Sequence, residues 1–167
     1  MIKKKIVIIG FLLIISVIVI VIVSTLPIVK IEEEFSYCSD PIIIKKDSDF
    51  ANYSFSGDGT ANYPYIIENL QFKGLQEAIR IESITVSFVI KNCNFIENNN
   101  GISIVRKGSG LVNITGNFFS KNAYSGLKIF YLKNDIIEKN IFQNDGIYMY
   151  SYPDAIDGII IKDNTVN

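Results

Sequence analysis

The sequence predicts an all-β fold, a single-stranded right-handed parallel β-helix of about four coils of 23–24 residues with part of a fifth. Three observations predict it. First, an Ile recurs with a Phe or Val five places on: Ile67 and Phe72, Ile90 and Phe95, Ile114 and Phe119, Ile137 and Phe142, Ile161 and Val166. These anchors stand 23, 24, 23 and 24 residues apart. A fixed period of this size marks stacked units that bury their apolar sides only against their neighbours. Second, each anchor pair is followed by a second alternating pair: Ile79 and Ile81, Ile102 and Ile104, Leu127 and Ile129, Ile147 and Met149. Period-two alternation is the pattern of a strand with one buried and one wet face. Third, the position three after each anchor holds Leu70, Cys93, Asn117, Asn140 and Asn164. Stacked Asn side chains can hydrogen-bond from rung to rung and satisfy the backbone at a tight, partly left-handed bend.

The elements follow in order. Residues 1–5 read as a basic tail, 6–29 as a transmembrane signal-anchor, 30–40 as a linker, 41–66 as a cap and 67–167 as the repeats. Lys3, Lys4 and Lys5 precede an uncharged run rich in Ile, Val and Leu, long enough to cross a bilayer as a helix. Glu32, Glu33 and Glu34 follow it. Basic residues stay on the cytoplasmic side, which places the remainder outside. A cleaved signal peptide is the alternative, but its apolar core is normally about 7–15 residues, ending in small residues at a cleavage site. Ser24-Thr25-Leu26-Pro27 is a poor site of that kind, which favours the anchor. The expected location is the cell membrane, single-pass, with an extracellular C-terminal domain, or secretion if the segment is cleaved.

In the cap, Ile42 and Ile44 alternate, and Gly57-Asp58-Gly59-Thr60 reads as a tight turn. It lacks the Lys-Ser/Thr of a phosphate loop and the acidic spacing of a calcium loop. Its expected role is to cover the strand edges of the first coil.

Within the repeats, Val86 and Phe88, Val112 and Ile159 lead into the anchors as a third strand per coil. Ala78, Gly101, Gly126 and Gly146 precede the second strand, where a small residue suits a bend. A second Asn set, Asn98 or Asn99, Asn122 and Asn144, reads as another turn. Asp135 stands where earlier coils carry Val112 and Phe88, so either the strand breaks there or a carboxylate sits at its edge. The chain stops part-way through coil five, which leaves open that further coils follow or that a partner protein covers that end.

The net charge is −1, and setting aside the +3 of Lys3, Lys4 and Lys5 leaves −4 for the rest. That balance does not favour nucleic acid, which needs a basic surface, and no nucleic-acid partner is expected. With no His in the chain, zinc and copper sites built on imidazole are excluded, and no cofactor is expected. Cys38 and Cys93 are either a pair or two free thiols; Cys93 occupies the Asn-stack position, where a small buried side chain suits the bend. Asn52-Tyr53-Ser54 and Asn113-Ile114-Thr115 match the N-glycosylation pattern, so Asn52 and Asn113 are candidate acceptors.

The lead-in Asp49-Phe50, Phe55-x-Gly57-x-Gly59-Thr60 and Pro64-Tyr65-Ile66-Ile67-Glu68-Asn69 precedes coils that begin with the run FVIKNCNF. Together with the Gly-Ile-x-Ile and Ile-x-x-Asn spacings, this resembles the NosD-like right-handed parallel β-helix repeat proteins of the pectin-lyase-like superfamily, over residues 41–167. The resemblance implies the fold and an exported, surface setting. It does not single out an activity, because the superfamily spans polysaccharide lyases, hydrolases, epimerases, carbohydrate-binding modules and scaffolds. NosD itself is linked to copper delivery, a role that the lack of His does not suit. The galacturonase-type catalytic motifs are absent: Asn164-Thr165-Val166 lacks the final Asp of one, and Arg80-Ile81-Glu82 does not match another. The only arginines are Arg80 and Arg106.

Two candidate sites remain. Asp145, Asp154, Asp157 and Asp163 are the carboxylates that a glycosidase pair could draw on, although turn positions explain them as solvated Asp. The outward positions of the second strand stack as Arg80, Ser103, Lys128 and Tyr148, and then as Glu82, Val105, Phe130 and Tyr150, with Tyr131 and Tyr152 beside them. Aromatic faces with polar rims suit sugar rings, while strand propensity alone also favours Tyr and Phe. Lys128, Phe130, Tyr148, Tyr150 and Tyr152 are therefore the candidate ligand-binding set. The expected function is a surface binding or scaffold module with a glycan or polysaccharide as ligand. The alternative is a polysaccharide-active enzyme whose catalytic residues are degenerate or lie in further coils.

Overall fold

A computed structural model describes residues 34–105, 108–130, 133–150 and 158–167. The basic tail, the apolar run 6–29, Arg106, Tyr131, Tyr152, Asp154 and Asp157 lie outside the described residues. Among the described residues no helix is long and apolar enough to cross a membrane.

The described residues of Glu34–Asn167 form a parallel β-solenoid with three sheets and sixteen strands, numbered in chain order. The first sheet stacks β1 (Ser36–Cys38), β4 (Leu70–Lys73), β7 (Asn94–Ile96), β10 (Phe118–Ser120), β13 (Ile141–Gln143) and β16 (Thr165–Val166). The second stacks β2 (Ile42–Ile44), β5 (Glu77–Glu82), β8 (Asn100–Val105), β11 (Ser125–Phe130) and β14 (Ile147–Tyr150). The third stacks β3 (Tyr65–Glu68), β6 (Phe88–Lys91), β9 (Val112–Thr115), β12 (Ile136–Glu138) and β15 (Ile160–Lys162).

The strand pairs put equivalent residues of successive coils in register, so like side chains stack. Phe72, Phe95, Phe119 and Phe142 form a fully buried column with ring centroids 5.3, 4.9 and 4.7 Å apart and nearly parallel planes. That separation follows from the strand spacing of about 4.8 Å. The anchors Ile67, Ile90, Ile114 and Ile137 form a second buried column, and Ile79, Ile81, Ile102, Ile104, Leu127 and Ile129 line the opposite wall. In the last rung Ile160, Ile161 and Val166 are exposed.

Two corners of each coil turn on one left-handed residue. Two places after the anchor, Asn69, Asn92, Gly116, Lys139 and Asp163 have φ between 51° and 65°. Seven places after it, Gly74, Glu97, Lys121 and Asn144 have φ between 51° and 75°. A non-glycine residue pays about 1–2 kcal/mol for this conformation, and buried amide ladders behind each corner offset it. At the first corner the amide of Cys93 donates to Asn117 Oδ1 (3.0 Å), that of Asn117 to Asn140 Oδ1 (3.0 Å) and that of Asn140 to Asn164 Oδ1 (2.9 Å). Each Asn Nδ2 also donates to the carbonyl of the preceding coil's anchor: Asn117 to Ile90, Asn140 to Ile114 and Asn164 to Ile137, all at 2.9 Å.

The second ladder corrects the register read from sequence. It runs Asn98, Asn122, Asp145, eight places after each anchor, and Asn144 is the left-handed corner before it. The amides of Leu75, Asn98 and Asn122 donate to the next side chain up, at 2.9, 3.0 and 3.0 Å. The ladder residue stands three, four and one residues before the glycine (Asn98 and Gly101, Asn122 and Gly126, Asp145 and Gly146), so a register taken from the glycine misplaces it.

Asp135 proves to be a strand break and a carboxylate together. Strand β12 begins one residue later, and the fully buried Asp135 accepts the amides of Val112 (2.7 Å) and Lys133 (2.9 Å). Its own carbonyl accepts the amide of Ile160 (2.9 Å).

The solenoid also starts earlier than expected. Within the segment read as a linker, β1 pairs with β4, and in the cap β2 pairs with β5, so a leading rung precedes coil one. A 3-10 helix, Asp47–Asn52, follows β2 and buries Phe50 in a stack on Tyr65 at 4.4 Å. Side chains occupy the free edge of β2. Tyr53 Oη accepts the amide of Ile43 (3.0 Å) and donates to its carbonyl (3.3 Å), and Asp49 accepts the amides of Lys45 and Lys46. The loop at Gly57 and Gly59 is a tight turn closed by the Asp58 and Gly59 amides on the Tyr63 carbonyl.

Candidate functional site

The outward face of the second sheet carries the predicted column. Ile43, Arg80, Ser103, Lys128 and Tyr148 are in register from β2 to β14, and so are Glu82, Val105, Phe130 and Tyr150 from β5 to β14. At the leading end, Arg80 donates to Glu77 (2.8 Å) and to Glu82. These hydrogen bonds, from Glu77 first, hold its guanidinium above its ordinary pKa. Ser103, expected outward and wet, is buried between the longer Arg80 and Lys128 above and below it.

At the other end Lys128, Phe130, Tyr148 and Tyr150 come together. Lys128 Nζ lies 5.3 Å from the Phe130 ring centroid, within cation–π range. The Phe130 ring meets Tyr148 at 6.5 Å and 61°, and Tyr150 at 5.7 Å and 56°. The tyrosines stay 52 % and 43 % exposed, large for aromatic rings. The rings are inclined, so the cluster is an angled cradle and not the flat strip that a sequence column suggests. Such a surface can stack a ring and hydrogen-bond its rim through phenol groups.

The candidate carboxylates do not converge among the described residues. Asp145 ends the second ladder, accepting from the Asn122 side chain and amide and from the Gly146 amide. Asp163 is an exposed left-handed corner. No group of three or more His, Cys, Asp or Glu could hold a metal ion among the described residues. Cys38 and Cys93 are free thiols. Burial pushes Cys93 up to about 12 and also raises Cys38. The candidate acceptor Asn52 is exposed at the end of the 3-10 helix, and Asn113 is half-buried on β9.

Three concavities escape the sequence pattern because strands and loops from different coils build them together. A groove of about 550 Å³ runs beside Arg80, walled by Ile43, Gln76 and the exposed Tyr124. A larger one, about 630 Å³, lies at the leading rung between Tyr37, Tyr53, Phe55 and Glu68, and shares no residue with the aromatic cluster. A third, about 240 Å³, opens on the third sheet.

Three parallel sheets, an aromatic column and Asn ladders define a β-solenoid protein. Residues 35–167 match the family described as the right-handed beta helix region, and the chain belongs to that family. No curated protein and no solved structure matches it significantly.

Proposed function

We propose that this chain is an exported, NosD-like β-helix module, held at the cell membrane by its apolar N-terminal run, that binds glycan on the outward face of its second sheet. The observation that carries the reading is the outward cluster of the half-buried Lys128 and Phe130 with the exposed Tyr148 and Tyr150, which the core does not require. The inclined rings favour the end or bend of a soluble glycan chain over a flat crystalline surface, because only coplanar rings can lie together on a plane. The exposed Ile160, Ile161 and Val166 are where a protein partner at the last rung would sit.

The test is a glycan array with the wild type and the double variant Tyr148→Ala, Tyr150→Ala. Both side chains are outward, so the fold should persist, while each lost stacking face should weaken binding several-fold, at about 0.5–1.5 kcal/mol per aromatic contact. Binding that survives the double change would refute the cradle. Release of reducing sugar from any polysaccharide would replace binding with hydrolysis.

A further inference from the structure

The largest of the three concavities, the groove of about 630 Å³ at the leading rung, has no part in the glycan reading. Its volume is within the range of small-molecule clefts, about 300–1,000 Å³. The buried Ile42 and the half-buried Ile66 and Leu70 give it an apolar lining. Three rings join them. Tyr37 is 63 % exposed, while Tyr53 and Phe55 are half-buried and stack on each other at 5.1 Å and 11°. The Tyr53 hydroxyl is committed to the Ile43 backbone as donor and acceptor, and Phe55 packs edge-on against Phe50 at 6.4 Å. These two rings are fixed before any ligand arrives, which lowers the ordering cost of binding.

The charges of the groove have one sign. Asp40 and Glu68 line it, and among the described residues no Lys or Arg does. The Asp40 carboxylate meets only the Ser39 hydroxyl there (3.2 Å). Glu68 is paired at 3.0 Å with Lys91, which stands on the next rung and outside the lining. Cys38 also lines the groove, and burial raises its pKa, so the thiol is neutral at pH 7.

We propose that this groove binds a small organic cation, an ammonium group on an apolar body, with the ammonium toward Asp40 and the body against Ile42, Ile66 and Leu70. Three properties set the class. A dry cavity of about 150 Å³ accepts benzene, so this volume has room for a ring and a short chain. Aromatic faces attract a cation within about 6 Å of the ring centroid. A carboxylate with no cation of its own favours positive charge and repels an anion. A neutral molecule would gain the apolar contacts alone. This site does not depend on the proposed glycan cradle.

The probes are 4-phenylbutylamine, 4-phenylbutan-1-ol and 4-phenylbutanoate, which share one body and carry a positive, a neutral and a negative head at pH 7. They are titrated into the full-length protein in a polyoxyethylene detergent, which has neither charge nor sugar, with free concentrations set by dialysis. Methyl NMR follows the Ile and Leu side chains. The amine should shift the Ile42, Ile66 and Leu70 signals. It should bind about 5–10-fold more tightly than the alcohol, the worth of a cation–π contact with a carboxylate alongside. The butanoate should bind more weakly than the alcohol. Asp40→Asn should lower the amine's advantage to about 2–3-fold, the cation–π part alone. Tyr37→Ala should weaken the amine more than the alcohol. Both side chains are exposed, so the fold should persist, and the order of the three probes on the wild type stands by itself if a variant fails to fold. Equal affinity for amine and alcohol, tighter binding of the butanoate, or shifts confined to residues away from the leading rung would overturn the proposal. So would an undiminished preference in Asp40→Asn, or no shift with any probe up to its solubility limit.

Discussion

Asn140→Leu isolates the contribution of the amide ladder. Asn140 is fully buried, and its Oδ1 accepts the Asn117 amide while its Nδ2 donates to the Ile114 carbonyl. Leucine fills nearly the same volume, so little cavity cost accompanies the change. What remains is an orphaned interior backbone N–H on Asn117, while the Ile114 carbonyl and the Asn117 and Asn164 side chains each lose one bond. The orphan costs about 1–3 kcal/mol and each of the three lost bonds about 0.5–1.5 kcal/mol, together about 2.5–7.5 kcal/mol. A domain of this size is stable by only about 5–15 kcal/mol, so the variant should lose a large part of its stability. Asn164→Leu removes the equivalent bonds to Asn140 and Ile137 from a side chain that is only part-buried at the last rung, where water can substitute. It should cost less than about 1 kcal/mol by the same reasoning. Urea unfolding followed by circular dichroism measures the difference, and hydrogen exchange of the Asn117 amide localises it. A loss below about 0.5 kcal/mol for Asn140→Leu, or equal losses at both positions, would refute the account of the ladder as compensation for buried backbone.

Three further outcomes are expected. Gly101→Ala would place a Cβ 2.5 Å from the Gly126 carbonyl and should cost about 1–3 kcal/mol as overpacking. Gly146→Ala meets nothing within 4 Å and should be near neutral, so equal urea midpoints for the two would contradict the packing argument. Asp47 is held below its ordinary pKa: burial opposes this, but hydrogen bonds from the Thr85 hydroxyl and amide and from the Val86 amide outweigh it. A folded pKa below the unfolded one adds stability above the unfolded value, about 3.9, which is lost as pH falls through the folded value. Asp47→Asn should therefore lower stability at pH 7 by about 1 kcal/mol and flatten the acid limb, and an unchanged stability–pH curve would disprove the clip. Finally, a thiol reagent at pH 8 should modify Cys38 well before Cys93, which reacts only on unfolding; equal native rates would contradict its burial.

The columns of Ile and Phe were legible because a parallel stack repeats its sequence as faithfully as its geometry. Asn117 and Asn140 were legible for the same reason. Asp145 was not, since a carboxylate breaks the residue-type pattern while keeping the position, and only its acceptance of the Asn122 amide shows that it belongs to the ladder. The leading rung was missed because β1 and β2 are three residues each and carry no Asn or Phe of the repeat. Tyr148 and Tyr150 were legible as outward positions, yet the inclination of their rings to Phe130 was not, because side-chain angles depend on neighbours across strands.

The sequence by itself determined a parallel β-solenoid of Ile, Phe and Asn columns, since period and alternation are local and repeat with each coil. Only the tertiary structure decided which residue takes each left-handed corner, where the first rung begins, and that Asn113 is left with a buried unpaired oxygen. Those features depend on which groups meet across coils 23 or 24 residues apart, where backbone donors and acceptors must be matched one for one in a space closed to water.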